Sequence, residues 1–305
     1  MMKTNNSNVT IVGSVALDSI KTPFGEKKES LGGAASYACV AASLFAKPAM
    51  IGVVGSDLPK EHMDLFKSKG IDLSGLTVAD GKTFRWGGYY EYDMNQAHTT
   101  NTELNVFADF KPKLSQEHKN TKFLFLANIL PSLQLDVLDQ MEGNPFVAMD
   151  TMNLWIENNK SEVIKIIKRT NLVLMNDAEA RQLCDTPNLV LAAKKILKHG
   201  PNAVIIKKGE HGAMFFTDGI YFSAPAYPLE FLRDPTGAGD SFAGGLMGYL
   251  AKTNNTRTEN IKKAIIYGSA IASFNAEGFG LENLKKITMR DIKKRYKEFE
   301  NLVKF

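Results

Sequence analysis

Between residues 234 and 245 the chain reads Asp-Pro-Thr-Gly-Ala-Gly-Asp-Ser-Phe-Ala-Gly-Gly, a glycine-rich turn entering a small-residue helix with a carboxylate at its mouth. Without a Cβ, Gly237 and Gly239 let successive N–H groups converge on an oxyanion. The helix that follows adds unpaired N–H groups and the positive end of its dipole to the same spot. Asp240 stands where a hydroxyl can lose its proton while the neighbouring amides hold the charge on a transferring phosphoryl group. A lone Gly-x-Gly-Asp also suits an Asp cap after a glycine turn. The whole stretch points instead to phosphate chemistry.

Other phosphate and metal chemistries fail on spacing. Gly81-Lys82-Thr83 ends like a Walker loop, but Leu76 stands where its first glycine belongs. Phe242 occupies the place of the third glycine of a dinucleotide fingerprint, which argues against hydride transfer. The five histidines contain no His-Glu-x-x-His pair, so a metalloprotease is excluded.

These residues need a scaffold, and 305 residues can build a sizeable core. Residues 9–13 predict a buried strand whose exit loop carries Asp18, Gly32-Gly33 opens a small-residue helix over 34–46, and 50–55 supplies the next strand. Strand-like runs at 123–126, 145–149, 172–175 and 204–206 alternate with helical patterns such as 162–168 and 190–199. Right-handed crossovers then give an α/β fold, a three-layer α/β/α doubly wound and mostly parallel sheet. Residues 83–92 alternate like an exposed antiparallel strand that 99–106 can pair with. Segments of about 17–31 and 83–107 are expected to form a small β-sheet lid inserted into one domain over 1–305.

With 44% hydrophobic and 23% charged residues and a net charge of +4, the composition suits an ordinary soluble protein. No basic patch suggests nucleic acid: the lysines of 285–297 are interrupted by acids, as on a solvated helix face. Cys39 and Cys184 lie far apart in apolar helical patterns, which favours a reducing compartment. No run spans a bilayer and the polar N-terminus does not resemble a signal peptide, so a cytoplasmic protein without membrane contacts is expected. The glycosylation patterns at Asn5 and Asn8 would need a secretory route.

The stretch 234–245 resembles the C-terminal signature of the PfkB family of ribokinase-like carbohydrate kinases. Gly32-Gly33-Ala34-Ala35 is similar to that family's di-glycine motif, Asn176-Asp177-Ala178-Glu179 to its Asn-x-x-Glu, and Gly209-Glu210-His211-Gly212 to its nucleotide loop. The likeness covers nearly the whole chain and implies ATP and Mg²⁺, with K⁺ as a further cofactor. It implies that Asp240 is the base and that Gly237, Ala238 and Gly239 form the anion hole. Asn176, Lys207, Gly209 and Gly212 would meet ATP, and Glu179 would hold Mg²⁺ through water. Alone, Asn-x-x-Glu equally suits a capped helix start. Asp234 and Thr236, with carbonyls around Ser273 to Gly278, would hold the monovalent cation.

Asp18 resembles the family's acceptor carboxylate, and Gly32 and Gly33 would admit the sugar ring. Asn128 and Asn153 follow predicted strand ends, where such sheets bind ligands. The pattern is departed from at Tyr37, where an acceptor-binding Asn is common, and at Lys207, where a Thr often begins the nucleotide loop. Trp86, Tyr89, Tyr90 and Tyr92 suit stacking on a sugar or nucleobase, sheet packing, or a clasp between two copies, so a homodimer through the lid is one expected partnership. Arg85 would meet an acceptor phosphate or form a surface ion pair. The expected activity is transfer of the ATP γ-phosphate to a hydroxymethyl group of a small sugar or sugar-like acceptor. The alternatives are a nucleoside (adenosine-type) kinase, a vitamin kinase and a catalytically silent sugar-binding sensor.

Overall fold

The computed structural model describes residues 9–304, and the glycosylation patterns at Asn5 and Asn8 lie outside the described residues. The first half of the chain runs β1 (Val9–Val12), β2 (Ala16–Thr22), β3 (Gly25–Gly32), α1 (Ala34–Ala42), β4 (Pro48–Gly55), α2 (Lys60–Ser68), β5 (Asp72–Ala79), β6 (Phe84–Tyr90), β7 (Ala97–Glu103), α3 (Gln116–Lys119), β8 (Phe123–Leu126), α4 (Pro131–Gln140) and β9 (Phe146–Met149). The second half continues with α5 (Asn153–Asn158), α6 (Lys160–Ile167), β10 (Leu172–Asn176), α7 (Asp177–Cys184), α8 (Leu189–Leu197), β11 (Ala203–Lys207), β12 (Ala213–Thr217), β13 (Ile220–Ala224), α9 (Ala238–Thr253), α10 (Thr258–Ala276) and α11 (Met289–Leu302).

Nine strands form one sheet in the order β13-β12-β11-β10-β9-β8-β1-β4-β5. Its neighbours are parallel except at one edge, where β12 pairs antiparallel with both β11 and β13. The central strands are apolar on both faces, as burial between two helix layers requires. Leu172 and Leu174 of β10 face the core made with α1, α9 and α10, whereas Val173 and Met175 face the core made with α4, α6, α7 and α8. This is the doubly wound arrangement expected from the alternation of strands and helices.

Helices α1 and α9 meet through small residues. A Cβ on Gly244 would lie 2.2 Å from the Ala38 carbonyl oxygen, and one on Gly248 would lie 2.8 Å from the Ala42 Cα. That close approach sets the two helix starts, Gly33 and Gly237, beside one another. The helix expected over 34–46 ends at Ala42 and continues as tight turns, with Phe45 and Ala46 both donating to the Ala42 carbonyl. Pro48 two residues on disfavours further helix.

A second sheet has the order β3-β2-β6-β7. Residues 83–92 and 99–106 do pair antiparallel, as β6 with β7, but β6 also runs parallel to β2, with Asp18 opposite Trp86. Several connections fasten this sheet to the rest of the molecule. Thr83 donates from Oγ1 to Asp57 at 2.7 Å and accepts the Gly55 N–H at 3.0 Å. Thr22 Oγ1 donates to the Arg233 carbonyl at 3.0 Å. The hydroxyls of Tyr90 and Thr236 share a hydrogen bond of 3.2 Å.

Candidate active site

The turn before α9 is held by its own backbone. Gly237 adopts φ +73°, a left-handed conformation that favours glycine, and a Cβ there would lie 2.4 Å from ring carbons of Tyr37. Ala238 N–H donates to the Pro235 carbonyl at 3.1 Å. That bond takes one of the three amides expected to form an anion hole; the N–H groups of Gly237 and Gly239 have no partner among the described residues. Asp240 follows in the first turn of α9. A carboxylate at a helix N-terminus would ordinarily titrate low. Here burial, together with the charge of Asp150, pushes Asp240 up to about 7, against the pull of Lys207.

Lys207, Asp150 and Glu179 line the adjoining floor, each at or just past the C-terminal end of a parallel strand. Lys207 closes β11, and its Nζ lies 2.5 Å from Oδ2 of Asp150. Burial works to lower the Lys207 pKa, but Asp150 and Glu179 more than offset it and keep the ammonium charged. A Cβ on Gly239 would lie 3.2 Å from Lys207 Nζ, so the ammonium stands directly beside the turn. Asn176 and Glu179 form a reciprocal cap on α7: Glu179 Oε2 accepts the Asn176 N–H at 2.6 Å and Asn176 Oδ1 accepts the Glu179 N–H at 2.8 Å. Burial, then the charge of Asp150, raises Glu179 to about 8.

The acceptor candidates converge on the other side of Asp240. Asp18 is buried on β2 with its carboxylate laid over Gly32, where a Cβ would fall 1.8 Å from Oδ2. Burial raises Asp18 to about 8 in spite of the Gly33 N–H, and the charges of Asp234 and Asp240 add to the rise. Gly33 has φ +88°, and a Cβ there would meet the Ser14 carbonyl oxygen at 2.6 Å. No other residue fits that corner.

The fit of each cation follows from the donors present. Among the described residues no three His, Cys, Asp or Glu side chains converge on one metal position. An ion that keeps most of its waters and is held chiefly by phosphate, as Mg²⁺ is, suits the single carboxylate of Glu179. The Asp234 carboxylate is fully buried and accepts the N–H groups of Thr236 at 2.8 Å and Gly280 at 3.0 Å. Asn275 donates to the Thr236 carbonyl at 2.7 Å, and its own Oδ1 is buried with no partner. A buried orphan oxygen beside a carboxylate fits a weakly hydrated monovalent cation. Ser273 and Gly278 lie on the same side, where Ser273 Oγ accepts from Arg295 at 2.9 Å and the Gly278 N–H donates to the Asn275 carbonyl at 3.1 Å.

Gly209 and Gly212 turn back under the end of β11 with φ +54° and +81°, and Lys208 N–H donates to the Gly212 carbonyl at 2.7 Å. A Cβ on Gly212 would strike the Ala224 carbonyl oxygen at 2.1 Å. Asn128 and Asn153 are engaged elsewhere: Asn128 Oδ1 accepts from Trp155 at 2.8 Å, and Asn153 Nδ2 donates to Gln182 at 2.6 Å. Arg85 is tied to Glu29 at 2.9 Å and to Asp57 at 2.8 Å. The ion-pair reading of that residue holds.

The pfkB family carbohydrate kinase profile matches residues 8–287 of the sequence. The chain belongs to the pfkB family of carbohydrate kinases. It is 29% identical over 250 residues to a cytidine kinase of Thermococcus kodakarensis, covering 79% of this chain and 88% of that protein. The solved nucleoside kinase of Methanocaldococcus jannaschii superposes with a TM-score of 0.77 at 24% identity, covering 95% of this chain and 98% of that one. A Burkholderia thailandensis nucleoside kinase in complex with inosine gives 0.79 at 20% identity, with 95% and 97% covered. This pfkB chain is an ATP-dependent carbohydrate kinase with the ribokinase-like fold.

Within this pfkB kinase, sequence reasoning passed over Asp150 and took Asn153 from the same stretch. The signal was present, because Asp150 is the first residue past β9 and a buried acid at a parallel strand end needs a partner. In the sequence Tyr90 is one of several lid aromatics, and its bond to Thr236 has no mark there.

Proposed function

We propose that this kinase transfers the γ-phosphoryl group of ATP to the hydroxymethyl group of a ribose-bearing or sugar acceptor. The observation that carries this reading is the mouth of α9, where Asp240 sits beside the unpaired amides of Gly237 and Gly239 and close enough to Asp18 to shift its titration. Asp240 takes the proton of the attacking hydroxyl. A base near pH 7 suits that work, although in a loose transition state the proton leaves late and positioning supplies most of the rate. Asp18 accepts hydrogen bonds from acceptor hydroxyls, and Gly32 and Gly33 admit the ring. A buried acceptor carboxylate rejects analogues that lack those hydroxyls.

Lys207, Gly209, Gly212 and Asn176 form the nucleotide side, with Ala238 completing the turn around the terminal phosphate. Glu179 would orient the waters of Mg²⁺, which when bound screens the phosphate charge. Asp234 and Thr236, with the backbone near Ser273 and Gly278, would hold K⁺ behind the turn. The small sheet acts as a lid that keeps water from the phosphoryl group.

One feature favours a nucleoside over a free sugar, reversing the order expected from the sequence. A Cβ on Gly88 would fall 2.4 Å from Trp86 Cη2, so the indole lies flat across Gly88, and its Nε1 donates to Thr99 at 3.2 Å. In the parallel register Trp86 shares a face with Asp18. A planar base stacks on such a ring while the ribose reaches the carboxylate. Coupled ADP release measured over pentoses, hexoses, sugar acids and nucleosides, with and without K⁺, tests the reading. Turnover highest on nucleosides, and a Trp86→Ala variant whose KM rises about tenfold for a nucleoside only, is the expected result. No ADP release with any acceptor would overturn the kinase reading; equal effects on sugars and nucleosides would remove the stacking role.

A further inference from the structure

We infer that Lys207 is a catalytic cation for the terminal phosphates and that Asp150 is the positioning residue that aims it. This rests on the kinase reading above and adds a role within the same site. The ammonium carries three donors in a compact, rotatable head. One goes to Asp150, and the other two have no partner among the described residues. They stand beside the unpaired Gly239 amide, since a Cβ on Gly239 would come within 3.2 Å of Nζ, 3.8 Å of Cε and 3.9 Å of Cδ. The lysine stem thus runs along the turn, and a side chain at position 239 would press against the ammonium.

Asp150 is itself fixed. It is buried, its Oδ1 accepts the Thr151 N–H at 3.0 Å, and its carbonyl accepts from the buried amide of Gln134 at 3.0 Å. A flexible side chain is thereby pinned at one end of its reach. The charge balance also calls for it. Asp150, Glu179 and Asp240 all act on Lys207, so without the ammonium an arriving triphosphate would meet three acids and no base. With it, phosphoryl oxygens gain a charged donor beside the N-terminus of α9, where the helix dipole acts in the same sense.

The test compares Lys207→Met and Asp150→Asn with the native enzyme, using calorimetry with the non-hydrolysable analogue AMP-PNP and with AMP. Lys207→Met should weaken AMP-PNP at least tenfold, leave AMP unchanged, and lower kcat by roughly the 10²–10³ typical of a lost oxyanion donor, with acceptor KM nearly constant. Asp150→Asn should weaken AMP-PNP less, yet still selectively over AMP. A native-like ratio of AMP-PNP to AMP affinity in Lys207→Met, or kcat within twofold of native, overturns the inference. Should Lys207→Met lose its fold through the unpaired Asp150, the Lys207→Met/Asp150→Leu double variant replaces it under the same criteria. A native enzyme that binds AMP-PNP no better than AMP would instead strike the kinase reading itself.

Discussion

The phosphate turn rests on a ring: Gly237 lies against the face of Tyr37, so close that a Cβ would sit 2.4 Å from Cδ1 and Cε1 and 2.5 Å from Cδ2. The Tyr37 hydroxyl is buried and has no partner. Gly237→Ala must therefore displace the ring and also hold φ +73° with a side chain. Activity should fall at least a hundredfold and Tm should drop. Native turnover in that variant would show that the turn is not held by this contact.

The proposed base, Asp240, sets a pH limb. With Asp240 at about 7, the free enzyme loses its base as pH falls through neutrality, so kcat/KM should decline on the acid side with an apparent pKa near 7. Asp240→Asn should lower kcat by roughly 10²–10⁴ and erase that limb. A profile flat over roughly pH 5 to 8, the range in which such a group titrates, would contradict the assignment.

Asp18 ties stability to function in opposite directions. Its folded pKa of about 8 lies above the ordinary 3.8, so the folded state binds the extra proton between those values. Stability from this group is present at low pH and falls as pH rises through that window. Asp18→Asn should flatten the decline, raise Tm at pH near 8, and weaken acceptor binding sharply. Thermal scans across pH showing the native and variant curves parallel would refute the linkage.

The α1–α9 contact admits no added carbon. Gly244→Ala would place a methyl 2.2 Å from the Ala38 carbonyl oxygen, a backbone atom that cannot turn aside. The expected cost is about 1–3 kcal/mol, measured by denaturant unfolding, with kcat also lowered because both helix starts carry site residues. An unchanged midpoint would mean that the helices separate easily.

Large parts of this were legible because local chemistry decided them. β8 is a short apolar run and β10 is apolar up to its terminal Asn176, so composition alone marks them. β5 was not legible: Asp72–Ala79 is an edge strand with mixed polarity, half exposed along most of its length. The hairpin β12–β13 carried a usable mark, Asp218-Gly219 between apolar runs, with Thr217 pairing with Ile220. The signature places Asp240 and its glycines in one turn, but the raised titration of Asp240 comes first from burial and then from Asp150, ninety residues earlier by number, and no spacing rule reports either. Asn128 and Asn153 show the converse. Both stand past strand ends, and the partners of their amides, Trp155 and Gln182, have no mark in the sequence.

The bond between Tyr90 and Thr236 joins two things that separate sites would keep apart. The phenol grows from the strand that also bears Trp86, and its partner belongs to the loop whose amides await phosphate. Were the small sheet to act as the proposed lid, its opening would take a brace from that loop, and an enzyme without its alcohol would be a poorer host for nucleotide hydrolysis. One hydroxyl pair would then couple the arrival of one reactant to readiness towards the other.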